Sequence, residues 1–211
     1  MLPAILPLFP LAQVVLFPHT YLPLHIFEPR YRQLTADVLA SHKHLVLALA
    51  QDPSLSDPIP PTEACFPTAT LASIVRAEPL DDGRWNLLIQ GVQTLLVTEE
   101  IPGRPYRQVR VQSLPFENAH RLPKDEEGRL MRAIRRYGDR HNIGAQLDEL
   151  LSLGMSQEVL LNTLAMALDF APVEKQFLLE SNNLHEFSDR ILQLMEFTLS
   201  GRVPFEAGGG H

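Results

Sequence analysis

The first charged side chain of the chain is Glu28. Before it stand the apolar runs Leu6-Pro-Leu-Phe-Pro-Leu11, Val14-Val-Leu-Phe-Pro18 and Tyr21-Leu-Pro-Leu-His-Ile-Phe27, with prolines at 3, 7, 10, 18 and 23. An apolar stretch of this length suits a membrane helix or a secretion signal. The prolines exclude both, because each removes a backbone donor and clashes with the preceding turn. Met1-Leu-Pro-Ala also lacks the basic start of a signal. Short buried strands joined by rigid corners remain, as in a small β-barrel or sandwich.

The pattern then changes period. Pro29 suits a first helical position, and Tyr31, Leu34 and Val38 (or Leu39) recur at helical spacing, so residues 28–40 form a helix among strands. Leu45 to Ala50 is a short buried strand, and the five prolines of Gln51 to Pro67 mark a loop. Leu71 to Glu78 and Trp85 to Gln90 flank Asp81-Asp-Gly-Arg84, the signature of a hairpin whose turn needs positive φ. Gly91 marks a bend before a separate strand, Val92 to Val97. Tyr106 to Leu114 alternates polar and apolar residues and forms the last strand, at an edge or half-buried.

Beyond residue 120 the spacing is helical. Asp125 to Arg140 forms a charged helix, and Leu147 to Leu153 forms another that stops at Gly154. Ser156 caps an apolar helix carrying Val159, Leu160, Leu164 and Leu168. Pro172 starts a helix with Phe177 and Leu178 turned inward. Asn183 and Glu186 form a capping box for the last helix, which buries Leu184, Phe187, Ile191, Met195 and Leu199 and ends at Gly201.

Composition sharpens this division. Twelve of the eighteen prolines fall at or before Pro79, while no glycine precedes Gly83. Residues 1–141 balance fifteen basic against fifteen acidic groups, so the net charge of −7 lies entirely in the last third. An acidic helical third and a pI near 5.6 oppose nucleic-acid binding. The lone Cys65 excludes an internal disulfide and points to the cytoplasm.

Four groups of residues have the types that chemistry uses. His25 and Glu28, followed by Arg30, have the spacing of a metal or acid–base site, but apolar flanks favour a hydrogen-bonded corner in which Glu28 pairs with Arg30 or caps the helix. His42 and His44 share one face of an extended segment without a third ligand, which is short of a metal site. Arg129, Arg132, Arg136 and Arg140 align along one helix face with Arg135 beside them, diluted by Asp125, Glu126, Glu127 and Asp139. Cys65 lacks an adjacent activator and reads as an ordinary free thiol.

The wording of several segments resembles one family. Leu6-Pro-Leu-Phe-Pro-Leu11, Val14-Val-Leu-Phe-Pro18 and Leu22-Pro-Leu-His-Ile-Phe-Glu-Pro-Arg-Tyr31 are similar to the opening of the N-terminal substrate-recognition domain of Lon proteases. Asp82-Gly-Arg84 with Leu87-Leu-Ile-Gln-Gly91 resembles its central hairpin, and Val173-Glu-Lys-Gln-Phe-Leu-Leu-Glu180 its helical part. The likeness runs over about residues 4–200. Thr94 departs from the family, which often carries arginine there, and the usual glycine before Thr68-Ala-Thr70 is absent.

The resemblance implies an α+β fold. Residues 1–118 would form a β-rich, PUA-like pseudo-barrel with one helix, 119–203 a helical bundle, and 204–211 a flexible tail. It implies a recognition module for exposed apolar peptide segments or a protein partner, standing alone, cytoplasmic and away from membranes. The phosphate-cradling Gly-x-x-x-x-Gly-Lys loop of a complete Lon protease is missing, since Lys43, Lys124 and Lys175 follow no such loop. No serine stands in a nucleophile elbow. The expectation is therefore no catalytic residue, no cofactor and no metal, with the binding residues unassigned. RNA binding by a PUA-like fold is the alternative, and a small hydrolase built on His25, Glu28 or Cys65 a weaker one.

Overall fold

The computed structural model describes residues 3–56, 59–116 and 121–200. Six strands come first in the chain: β1 (Leu6–Leu11), β2 (Tyr21–Ile26), β3 (His44–Leu49), β4 (Thr68–Pro79), β5 (Trp85–Ile101) and β6 (Gln108–Ser113), with helix α1 (Pro29–Leu39) between β2 and β3. Five helices follow: α2 (Lys124–His141), α3 (Gly144–Ser152), α4 (Gln157–Ala167), α5 (Pro172–Leu179) and α6 (Leu184–Leu199). The α+β class and the pseudo-barrel with a helical bundle are as the sequence implies. The expected boundary at residue 118 lies outside the described residues, as does the tail.

The strands run β2-β5-β4-β3-β1-β6, and a further β5–β6 pairing closes the ring. The length of β5, 17 residues, makes this possible. Its first half pairs with β2, from Trp85↔Ile26 to Gln90↔Tyr21. Its second half pairs with β6, from Leu95↔Ser113 to Ile101↔Gln108. β1 and β3 are parallel neighbours buried on both faces, which explains their unbroken apolar wording. Leu6, Leu8, Val46 and Ala48 meet Leu95 and Val109 in one core. Phe9, Leu11, Leu45 and Leu47 join Tyr31, Leu34 and Val38 of α1 in another.

Two strand expectations are corrected. Gly91 does not separate two strands; β5 runs through it, with a register shift opposite Leu71/Ala72 that bulges the strand at Val92. The glycine is required by a close approach: a Cβ there would overlap the carbonyl of Phe17. The corner Phe17–Thr20 docks on it, with the His19 N–H donating to Gly91 O at 2.8 Å and the Gly91 N–H to Thr20 O at 3.0 Å. Nor is β6 an edge, since it pairs with both β1 and β5; its half-buried pattern is the part that holds. A local alternation of polar and apolar residues reports which face is buried and is silent about which strands lie alongside.

The helices begin and end largely where their caps predict. The Ser156 hydroxyl accepts from Val159 N–H, and Asn183 Oδ1 accepts from Glu186 N–H at 2.9 Å. The Glu186 carboxylate reaches one residue further than a capping box requires, accepting from Asn182 N–H at 2.8 Å. In α4 the buried apolar face is Leu161, Leu164 and Ala165, followed by Leu168, while Val159 and Leu160 are only partly covered. Phe177 is 38% exposed, contrary to expectation, and carries the Arg190 guanidinium 4.2 Å above its ring. Gly201 lies outside the described residues.

The bundle core is not separate from the sheet. Val15, Phe17 and Leu49 belong to the same apolar cluster as Ile134, Leu164, Leu178 and Ile191. The rings of Phe17 and Phe187 stack at 6.1 Å. Gln176 on α5 donates to Thr68 O on β4 at 3.0 Å, tying helix to strand by a polar contact as well.

Candidate binding cleft between barrel and bundle

The corner that docks on Gly91 also forms one wall of a cleft. Phe17 and Pro18 stand beside the bulge residues Val92, Gln93 and Thr94 of β5, and Leu114 to Phe116 continue the wall beyond β6. The opposite wall is helical: Glu158 and Asn162 from α4, Leu178 and Leu179 from α5, Ser181 from the following turn and Phe187 from α6. The cleft encloses about 100 Å³. That is smaller than a typical small-ligand site and leaves room for little more than one small side chain.

Its lining is apolar with a few polar groups. Phe17, Leu178, Leu179 and Phe187 are buried, and Val92 stands exposed at the mouth. Asn162 and Ser181 are buried as well, at 4% and 8% exposure. The Ser181 hydroxyl has no hydrogen-bond partner. Glu158 is the one charged residue among the described lining groups, and His19 Nε2 lies 3.4 Å from its carboxylate, linking the corner to α4. Thr94, the position at which the resemblance expects arginine, faces this cleft, so the departure leaves it without a cation among its described lining residues.

The residue groups singled out in the sequence lie elsewhere. His25 Nδ1 is 2.8 Å from Asn86 Oδ1 and its Nε2 is 3.3 Å from the Arg84 guanidinium, across the β2–β5 pairing. Glu28 pairs with Arg30 at 2.8 Å and gives the helix no side-chain cap. Arg30 also donates to Ile59 O, which fastens the start of α1 to the proline-rich loop. These contacts make the His25–Glu28–Arg30 segment a structural corner.

Cys65 is half-buried, 3.3 Å from the Arg107 guanidinium. Burial pushes its thiol pKa up, against the smaller downward pull of Arg107. A thiol held in its neutral form is a poor nucleophile. The His42 and His44 rings lie 6.0 Å apart, tilted to one another, with His42 Nδ1 accepting from His44 N–H. Burial lowers the His42 pKa, followed by repulsion from His44. Among the described residues, no three His, Cys, Asp or Glu side chains gather into a metal site. Arg129, Arg132 and Arg136 flank a groove whose other wall carries Asp189 and Glu196 of α6, so these three arginines of the basic stripe meet acidic groups.

Sequence reasoning missed Asn162, Ser181 and Glu158. The available signal was a polar residue interrupting an apolar face: Asn162 lies between Leu161 and Leu164, and Ser181 follows Leu178-Leu-Glu180. No helix among the described residues is long and apolar enough to cross a membrane.

Known proteins can be compared with this geometry. Lon protease of Geobacter metallireducens is 32% identical over 161 residues, covering 75% of this chain and 18% of that protein. Lon protease of Paraburkholderia phytofirmans is 29% identical over 202 residues, covering 93% of this chain and 24% of its own length. The chain thus spans less than a quarter of these relatives. The crystal structure of a Lon N-terminal domain protein from Xanthomonas campestris matches with a TM-score of 0.65 at 21% identity, over 92% of this chain and 98% of that one. The N-terminal domain of Mycobacterium avium complex Lon protease matches with a TM-score of 0.66 at 15% identity, over 94% and 100%. At such identities the two structures establish the fold. The family model of the ATP-dependent protease La (LON) substrate-binding domain matches residues 5–196. The chain belongs to that substrate-binding domain family.

Proposed function

We propose that this protein binds exposed apolar segments of polypeptides in the cleft between barrel and bundle, without ATP, cofactor or catalysis. The observation that carries the reading is the cleft itself: buried aromatic and aliphatic walls around an opening rimmed by exposed Val92. Membership of a substrate-binding domain family supports a polypeptide as the ligand. On this reading residues 1–118 and 119–203 act as two jaws, and the partner is an unfolded or extended segment in the cytoplasm. His25, held by Asn86 and Arg84, and the neutral thiol of Cys65 support no hydrolytic role. The mixed charge of the Arg129–Arg136 groove, with Asp189 and Glu196 opposite, disfavours RNA.

The test is a titration of a fluorescently labelled, chemically unfolded reporter protein against the whole chain and Val92→Glu. A carboxylate at the mouth of an apolar cleft should weaken binding by about 10-fold or more, because it must be desolvated when the ligand enters. Equal affinity of both proteins, or no binding by either, overturns the reading.

A further inference from the structure

Helices α2 and α6 lie side by side and leave a charged groove between them. One wall carries Arg129, Arg132 and Arg136, the other Asp189, Gln193 and Glu196, with Ala133 and Leu192 at the floor. The groove encloses about 370 Å³, and no ion pair crosses it. Among the described residues these five charged side chains make no hydrogen bond or salt bridge. Arginines elsewhere are used: Arg30, Arg84, Arg107 and Arg190 each pair with a carboxylate. The groove shares no lining residue with the cleft described above.

The two helices run in the same direction. His185 at the start of α6 lies 2.7 Å from Glu126 at the start of α2, and the groove is lined by residues that follow both. Arg129 and Arg136 are seven positions apart, as are Asp189 and Glu196. Seven residues make two helical turns, about 10.5 Å of rise, so both walls space their charges equally.

We propose that the α2–α6 groove is the contact through which two copies of this chain associate, related by a two-fold axis running along the groove. A surface with one positive and one negative wall is its own complement about such an axis, because the rotation lays each wall on the opposite one. Arg129 then meets Asp189 of the second copy, Arg136 meets Glu196 of the second copy, and both pairs repeat by symmetry. Arg132 falls beside Gln193 of the second copy, whose amide oxygen accepts. Ala133 and Leu192 of both copies meet near the axis. A two-fold axis across the groove would instead stack arginine on arginine and carboxylate on carboxylate.

Other occupants satisfy only one wall. A polyanion or an acidic helix meets Asp189 and Glu196, and a basic segment meets the three arginines. The second copy carries both walls at the required spacing. Such polar contacts set orientation and association rate more than tight affinity, so the dimer should be salt-sensitive.

The experiment is sedimentation equilibrium of the whole chain from micromolar to millimolar concentration, at low and high salt. A monomer–dimer equilibrium is expected, with a dissociation constant that rises about 10-fold or more at high salt. Arg129→Glu/Arg136→Glu makes both walls mainly acidic, and Asp189→Arg/Glu196→Arg makes both basic. Each variant alone should stay monomeric with an unchanged melting temperature, since all four side chains are exposed. Mixed in equal amounts, the two should form a heterodimer. Engineered cysteines report the axis, with Cys65 common to every mixture. Arg136→Cys mixed with Glu196→Cys should cross-link on oxidation, whereas Arg129→Cys mixed with Glu196→Cys should not. A monomer at every concentration overturns the proposal. So does a dimer that survives either reversal, a mixture of the two that does not associate, or cross-linking in the second cysteine mixture and not the first. Should a reversal lower the melting temperature, Arg129→Gln/Arg136→Gln takes its place, and an unchanged dimer then overturns the proposal.

Discussion

The core of the sheet and the junction between sheet and bundle are both buried, yet they handle polarity in opposite ways. In the sheet core, Leu6, Leu8, Val46, Ala69, Leu95 and Val109 pack together without a polar side chain, and the backbone groups around them are engaged in the β1–β3, β1–β6 and β5–β6 ladders. Where a hydroxyl is buried in the sheet, as at Thr70, it donates to Leu16 O at 2.5 Å. Among the described residues, the four buried side-chain atoms without a partner lie on the helical side: Gln157 Nε2, Gln176 Oε1, Ser181 Oγ and Ser188 Oγ. The difference separates a self-satisfied sheet from a helical side that carries unpaired buried groups. The sheet core pairs its buried hydroxyl, whereas the helical side leaves some buried polar atoms unpaired.

The largest expected effect lies in the sheet. Leu95 is fully buried at the strand where the ring closes, so Leu95→Ala should cost about 2–5 kcal/mol of folding stability, through lost transfer energy and the cavity left behind. Chemical denaturation of this variant beside Val92→Glu, whose side chain stands at the exposed cleft mouth, separates the two regions. The first should lose stability, and the second should lose ligand binding with little change in its unfolding midpoint. If Leu95→Ala unfolds within about 1 kcal/mol of the unaltered protein, the sheet is not the rigid member of the pair.

How much of this was legible in the sequence follows the same division. Proline corners, the Asp-Gly turn, Ser156, Asn183 and the helical spacing of Tyr31, Leu34 and Val38 act over a few residues, so the elements could be located from local chemistry. Gly91 was misread because its requirement is not local: it is set by the Phe17 carbonyl packed against it. Phe177 was placed inward by its apolar character, but Arg190, thirteen positions later, covers the ring instead. The cleft was hidden for the same reason. Its walls draw on residues 17–18, 92–94, 114–116 and 158–187, and only the folded chain brings them together. The histidine, cysteine and arginine groups looked more chemical than the cleft because their residue types are conspicuous, whereas a lone Asn162 or Ser181 is not.

A half-buried polar pair in the barrel part offers a smaller and pH-dependent test. The Tyr106 hydroxyl donates to Asp37 Oδ2 at 2.7 Å, and Arg104 lies 3.5 Å from the same carboxylate. Burial, then the bond to Asp37, pushes the Tyr106 pKa up from 10.0 to about 12. The same hydrogen bond is the main reason that the Asp37 pKa is lowered. For Tyr106 the stabilising contribution is complete below about pH 10 and disappears as pH rises through about 12, because the unfolded phenol ionises first. For Asp37 it is complete above the ordinary carboxylate pKa of 3.8 and disappears as pH falls through the lowered value. Tyr106→Phe should cost about 1 kcal/mol near neutral pH, with the gap narrowing at both extremes. A pH-independent gap in urea denaturation would assign the cost to packing and not to the hydrogen bond.

The smallest effect should have the opposite sign. Ser181 is buried with a hydroxyl that finds no partner, so Ser181→Ala removes an unpaired group without opening a large cavity. Folding stability should rise by about 0.5–1 kcal/mol, whereas Tyr106→Phe, which breaks a made bond, should lower it by a similar amount. The two variants delete the same atom type, so the sign of each change reports whether that oxygen was in use within the protein alone. A gain at Ser181 would mean that the fold carries the unpaired hydroxyl at a cost to its own stability. A loss at Ser181 as large as that at Tyr106 would mean the hydroxyl already has a partner, an ordered water included. The contrast between a satisfied sheet and an unsatisfied helical side would then fail at its most specific point.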